Sequence, residues 1–140
     1  AKETLPLMRE RRWGRFIAIT SVAVKQPLAG LVLSNSVRSA VSGLVKTLAN
    51  EYGPHNVLVN NVCPGFTGTD RLMDLAHALA AREGATTEAI EERWAREIPL
   101  GRIGRPEEFA DLVVFLASER ASYITGASIA SDGGFVKGLY

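Results

Sequence analysis

Apolar residues fall along this chain in two kinds of run, one short and continuous, the other long and periodic. Residues 16–20, FIAIT, form an unbroken run of strand length, followed by a loop holding Pro27 and Gly30. That is the pattern of a strand covered on both faces. From about residue 33 to residue 52 the apolar positions recur instead. Val37, Ala40, Val41, Leu44, Val45, Leu48 and Ala49 stand at i, i+3, i+4, i+7, i+8, i+11 and i+12. They predict one broad stripe on a long helix, stopped by Gly53-Pro54. Residues 57–62, VLVNNV, read as a second strand closing on Cys63-Pro64-Gly65. A strand, a helix and a strand of these lengths make a βαβ unit, so the two strands are expected to be parallel.

The flanks follow the same logic. Residues 1–12 read as the end of a helix, and Trp13-Gly14 turns the chain. Leu72, Leu75, Ala76 and Leu79 mark one amphipathic helix, and Ile90, Trp94 and Ile98, at i, i+4 and i+8, mark another. Residues 99–108 form a polar loop whose Pro106 suits a first helical position. Glu107 and Glu108 there favour the positive end of the helix dipole. Phe109, Leu112, Val113, Leu116 and Ala117 are the expected buried face of that helix. Residues 127–131 make a last strand, ending at Asp132-Gly133-Gly134. The fold class is therefore α/β: three parallel strands with flanking helices.

This order places candidate chemistry at one end of the sheet. A strand end carrying Ser21 faces a helix start carrying Ser34 and, one turn on, Arg38. Pro64 and Gly65 force a tight turn at the carboxyl end of the second strand, where open α/β sheets hold their ligands. Thr69 and Asp70 close that loop in positions suited to capping the next helix. His77 lies on the polar side of that helix and reads as a surface residue.

Composition narrows the functions. The chain has 140 residues, 46% of them apolar, enough for one domain with a real core. Its 16 basic and 15 acidic residues give a net charge of +1, which supplies no field for nucleic acid or membrane. The cluster Arg9, Arg11, Arg12 and Arg15 reads as a solvated helix end. Cys63 is the single cysteine, which rules out an internal disulfide and fits a reducing, cytoplasmic compartment. No run approaches the ~20 apolar residues of a membrane span, no signal peptide is visible, and no metal site is expected.

The segments GRFIAITSVA, SNSVRSAVSGL, PGFTGTD and PLGRIGRPEEFADLVVFLAS, with YITGASIASDGG, carry a resemblance. Over essentially all its length the chain resembles the C-terminal part of a short-chain dehydrogenase/reductase. It is most similar to the 3-oxoacyl-carrier-protein reductases. The resemblance implies the C-terminal portion of a Rossmann-like doubly wound parallel sheet. It implies one partial domain over residues 1–140, with a helical substrate lid at 70–98, and places the Gly-rich cofactor cradle outside these residues. It further implies NAD or NADP as cofactor, a small carbonyl or alcohol substrate, and a homodimer or homotetramer.

In that family a catalytic Ser ends the strand, a Tyr follows and a Lys stands four residues after the Tyr. Ser21 fits the first role. Ser34 occupies the Tyr position and Arg38 the Lys position, where the family usually reads YxxSKAAxxGL. Ser21, Ser34 and Arg38 are thus the candidate catalytic residues. Arg38, Pro64, Gly65 and Thr69 are the candidate cofactor-binding residues, with Thr69 matching the Thr that bonds the nicotinamide carboxamide. A Tyr hydroxyl starts near pKa ~10 and can be brought toward neutrality by a nearby cation; a Ser hydroxyl cannot. Arg38 keeps the positive charge but stays protonated and relays no proton. Otherwise Arg38 would snorkel at the helix edge and Ser34 would satisfy donors at the helix start. Tyr52, Tyr123 and Tyr140 offer no evident substitute donor. The two function classes that follow are an NAD(P)-dependent oxidoreductase with an atypical proton donor, and a non-catalytic nucleotide-binding or oligomerisation protein on the same scaffold.

Overall fold

Strand β2 (Val57–Pro64) is the axis of the molecule, with every residue but Pro64 buried. Strand β1 (Gly14–Ile19) pairs along one side of it and β3 (Ser128–Ser131) along the other, both parallel. Gly14 stands opposite Val57 and Ile19 opposite Val62, while Asn61 stands opposite Ser128. The computed structural model describes residues 1–139; Tyr140 lies outside the described residues.

Alternation along β2 sends its side chains to two helical layers. Val57 and Val59 pack with Leu5 of α1 (Leu5–Glu10) and with Val45 and Ala49 of α2 (Val32–Tyr52). Val62 packs on the opposite face with Leu116, Phe109 and Val113 of α5 (Pro106–Ala117). The chain is thus an α/β sandwich with helices on both faces of a parallel sheet, as its pattern implies. Between β2 and α5 lie α3 (Asp70–Glu83) and α4 (Thr87–Glu97), which bury Ala76, Ala80, Ile90 and Trp94 in a small core of their own. Phe66 stacks on Trp94 at 5.2 Å between ring centroids and ties that unit to the loop after β2.

Local chemistry sets the helix ends. Thr86 Oγ1 accepts the Ala89 amide and starts α4. At α5 the Glu108 carboxylate accepts the Arg105 amide at 2.8 Å and two Arg102 donors at 2.7 and 2.8 Å. These bonds, Arg102 foremost, hold the Glu108 carboxyl down at about 2. Gly133 turns the chain after β3 with φ +63°, and a Cβ there would sit 2.6 Å from Ile98 Cγ2.

Four expectations are corrected. The α2 stripe does not bury as a whole: Val45 and Ala49 are buried, but Val37 is 57% and Leu44 51% exposed. Only one flank of the stripe meets the sheet, and no described residue covers the other. Strand β1 is not enclosed on both faces either. Among the described residues it is an edge strand, starts two residues earlier than its apolar run, and leaves Ile19 58% exposed. Ala117 is exposed, because it lies past the last contact of α5 with the sheet. Arg15 leaves the solvated arginine cluster. Its side chain is buried against the Trp13 ring, where it meets Glu119 at 3.3 Å.

Candidate active site

Parallel strands bring the carboxyl ends of β1 and β2 to one edge, where the chain leaves each strand for a connecting loop. Beyond that edge is a cavity of about 450 Å³ whose lining includes Ser21, Ser34, Arg38, Gly65 and Thr69. Sequence positions 21 to 69 thus converge on one hollow. Pro64 lies beside it, lining a smaller neighbouring hollow with Ser21 and Gly65.

Ser21 follows β1 and caps a short 3-10 turn, its Oγ accepting the Ala23 amide at 3.2 Å. The cap occupies a lone pair and leaves the O–H free to donate. Ser34 is the third residue of α2, after the N-cap Leu31, so it does not fill the capping role. Its Oγ accepts Arg38 Nε at 3.1 Å, which again leaves the hydroxyl proton for a ligand. Arg38 does not snorkel outward: Nη1 donates to the Thr20 carbonyl at 2.6 Å. Both partners of this guanidinium are neutral, and among the described residues no acidic side chain pairs with it.

Gly65 is required by close approach, since a Cβ there would meet the Asp132 backbone at 2.8 Å. Its amide donates to the Ser131 carbonyl and pins the loop to the end of β3. Thr69 stands at the N-cap position of α3 but makes no side-chain capping bond, leaving its hydroxyl available to the cavity.

Sequence reasoning missed the residues beneath. Thr20 Oγ1 donates to Asn61 Oδ1 at 2.8 Å, and Asn61 Nδ2 reaches the hydroxyls of Ser42 and Ser128, both at 3.2 Å. Asn61 is wholly buried, so this network locks α2 onto all three strands just below Arg38. The signal was present as two adjacent polar residues in an otherwise apolar strand. Cys63 lies in the same buried region, and burial pushes its thiol above the usual range, which makes it a packing residue and not a nucleophile. Thr67, Arg71, Leu72 and Leu75 also line the cavity. His77 is exposed, as expected. Tyr123 is fully exposed and Tyr52, the last residue of α2, packs against the core at the far end of the helix from Ser34, so neither supplies a proton donor at the site.

Comparison with known proteins agrees with this fold. Residues 1–136 match the family model described as enoyl-(acyl carrier protein) reductase. The 3-oxoacyl-[acyl-carrier-protein] reductase FabG of Aquifex aeolicus is 41% identical over 133 residues, covering 95% of this chain and 49% of the relative. The L-sorbose reductase of Gluconobacter frateurii, solved in complex with NADPH and L-sorbose, superposes with a TM-score of 0.92 at 35% identity, over 99% of this chain and 53% of that one. An NADPH-bound short chain oxidoreductase of Pseudomonas aeruginosa, described as containing an atypical catalytic center, gives a TM-score of 0.83 at 29% identity, over 99% of this chain and 52% of that one. The chain belongs to the short-chain dehydrogenase/reductase family of oxidoreductases. It spans about half the length of the curated relatives it matches.

Proposed function

We propose that this chain forms the substrate side of an NAD(P)-dependent carbonyl reductase, of the 3-oxoacyl-thioester type or a close relative, with an atypical proton donor. The observation that carries the reading is the convergence of Ser21, Ser34, Arg38 and Thr69 on one cavity at the carboxyl edge of a parallel sheet. Helices α3 and α4 (residues 70–98) serve as the substrate lid over it.

The residues present fit a nicotinamide nucleotide. Arg38 Nη2 has no partner among the described residues and suits ribose hydroxyls, and the unused Thr69 hydroxyl suits a carboxamide. Pro64 and Gly65 shape the loop against which the ring would lie. Such a cofactor supplies the hydride. The chain's own contribution is to hold the carbonyl and stabilise charge on its oxygen. Ser21 and Ser34 each have a lone pair engaged and a proton to give, so both act as hydrogen-bond donors to that oxygen. Neither ionises near neutral pH, so the proton that completes the alcohol arrives through water ordered by Ser34 and Arg38. Asn61 and Thr20 hold Arg38 in place beneath.

A second copy of the chain covers the exposed flank of α2. Val37 and Leu44, with Leu33 at 78% exposure, make an apolar row with no cover among the described residues. The family resemblance also implies a dimer or tetramer.

The test is steady-state reduction of 3-oxoacyl thioesters and small ketones by NADH and NADPH, using the whole protein and its Ser21→Ala variant. Turnover falling at least tenfold in the variant is expected from loss of a donor to the developing oxyanion. Dinucleotide binding with no turnover on any carbonyl would favour the non-catalytic alternative.

A further inference from the structure

Among the described residues, the cavity lining includes two guanidinium groups and no side-chain carboxylate. Arg38 lies on its floor and Arg71 at its rim, with no described Asp or Glu in the lining. Neither arginine is in an ion pair among the described residues. Asp70 and Asp74, the acids nearest Arg71 in α3, are not within ion-pair distance of it. Of the other exposed arginines of this region, Arg93 pairs with Glu83 at 2.8 Å and Arg102 with Glu108 at 2.7 Å, while Arg96, which does not line the cavity, is likewise in no ion pair among the described residues.

Arg71 also stands at the wrong end of its helix. It is the second residue of α3, where the dipole is positive and a cation is disfavoured. Leu72 and Met73 already donate their amides to the Thr69 carbonyl, so the ligand-facing charge at the rim is that of the guanidinium itself. Helix stability therefore gives no reason for a cation here. The rest of the lining is apolar or neutral, with Ala23, Leu31, Leu72 and Leu75 beside the hydroxyls of Ser21 and Ser34.

We propose that the cavity selects carbonyl substrates bearing their own anionic group, with Arg71 as the specificity-determining residue and a short oxo acid as the ligand class. The carbonyl faces Ser21 and Ser34, the aliphatic part lies on Leu72 and Leu75, and the carboxylate reaches Arg71. This rests on the reductase reading for the fate of the carbonyl, but the anion site itself does not need turnover.

The probes are 4-oxopentanoate and its uncharged methyl ester, on the whole protein and its Arg71→Gln, Arg71→Lys and Arg71→Glu variants. Dissociation constants come from calorimetry without cofactor, and KM from steady-state reduction with NADPH. The expected result is preference for the acid over the ester, reduced about tenfold or more by Arg71→Gln, consistent with loss of a charge-assisted bond. Arg71→Lys should restore part of the preference and Arg71→Glu reverse it. Equal affinity for acid and ester in the unsubstituted protein overturns the proposal. So does a fall in NADPH affinity matching the fall for the oxo acid, which would assign the arginine to a cofactor phosphate. Selective acid binding without reduction would leave the anion site standing and remove the reductase reading. Reduction of ketones with no preference for the acid would do the opposite.

Discussion

Arg38 of α2 donates from Nη1 to the carbonyl of Thr20 at 2.6 Å, tying the helix to the residue that precedes Ser21. The charged group at the candidate site is therefore held by the strand end that also presents the candidate hydroxyl of Ser21. The bond needs only a guanidinium long enough to span helix and strand, so Arg38 is placed by geometry and not by an acidic partner.

Restoring the family's acid is the first prediction. In the whole protein, Ser34→Tyr with Arg38→Lys should raise carbonyl reduction, because Tyr beside Lys can donate a proton directly. General acid catalysis is typically worth ~10²–10⁴-fold, and a gain of that order is expected in kcat. Adding Ser21→Ala should remove most of it. Brisk turnover by the unsubstituted protein that falls in the double variant would show that Ser34 and Arg38 already work as a pair.

Asn61 should be a stability hot point. Asn61→Ala strands the buried Thr20 hydroxyl and leaves Ser42 and Ser128 short of a donor. Unsatisfied buried groups cost about 1–3 kcal/mol, read as a lower urea midpoint at constant slope. A double-mutant cycle with Thr20→Val should show coupling, since the two side chains share one bond. Additive losses would mean that the network is not cooperative.

Glu108 predicts an acid limb. Its folded carboxyl lies near 2 against an ordinary 4.5, so its contribution to stability is complete above about 4.5 and is lost as pH falls toward 2. Glu108→Gln should lower Tm at neutral pH, and the gap should close between those two values. A gap unchanged down to pH ~2 would place the effect in packing instead of ionisation.

The outer flank of α2 gives a prediction about assembly. Val37→Arg with Leu44→Arg should shift sedimentation from an oligomer to the monomer. Thermal stability should fall with the oligomer and lose its dependence on protein concentration, because association stabilises the folded state by mass action. A monomer before substitution would count against a second copy as the cover.

Much of this molecule was legible along the chain. The run at residues 57–62 and the 3.6-residue recurrence through Val45 and Ala49 encode strand and helix locally, because each period belongs to one backbone geometry. The βαβ order made β1 and β2 parallel, and their parallel pairing put Ser21 and Gly65 at the same edge. Burial was less legible. Val37 and Val45 have the same side chain on the same apolar stripe, yet one is exposed and the other is packed on β2. Periodicity reports which face is apolar, whereas packing depends on what the rest of the fold brings to that face. The same holds for Arg38 and Arg71, thirty-three positions apart in sequence and on one cavity in space. Their charges could be counted beforehand. That they line one cavity with no acid among its described lining residues follows from the strand ends and the start of α3 folding together, because the neighbours of a charge are set by tertiary contacts and not by its place along the chain.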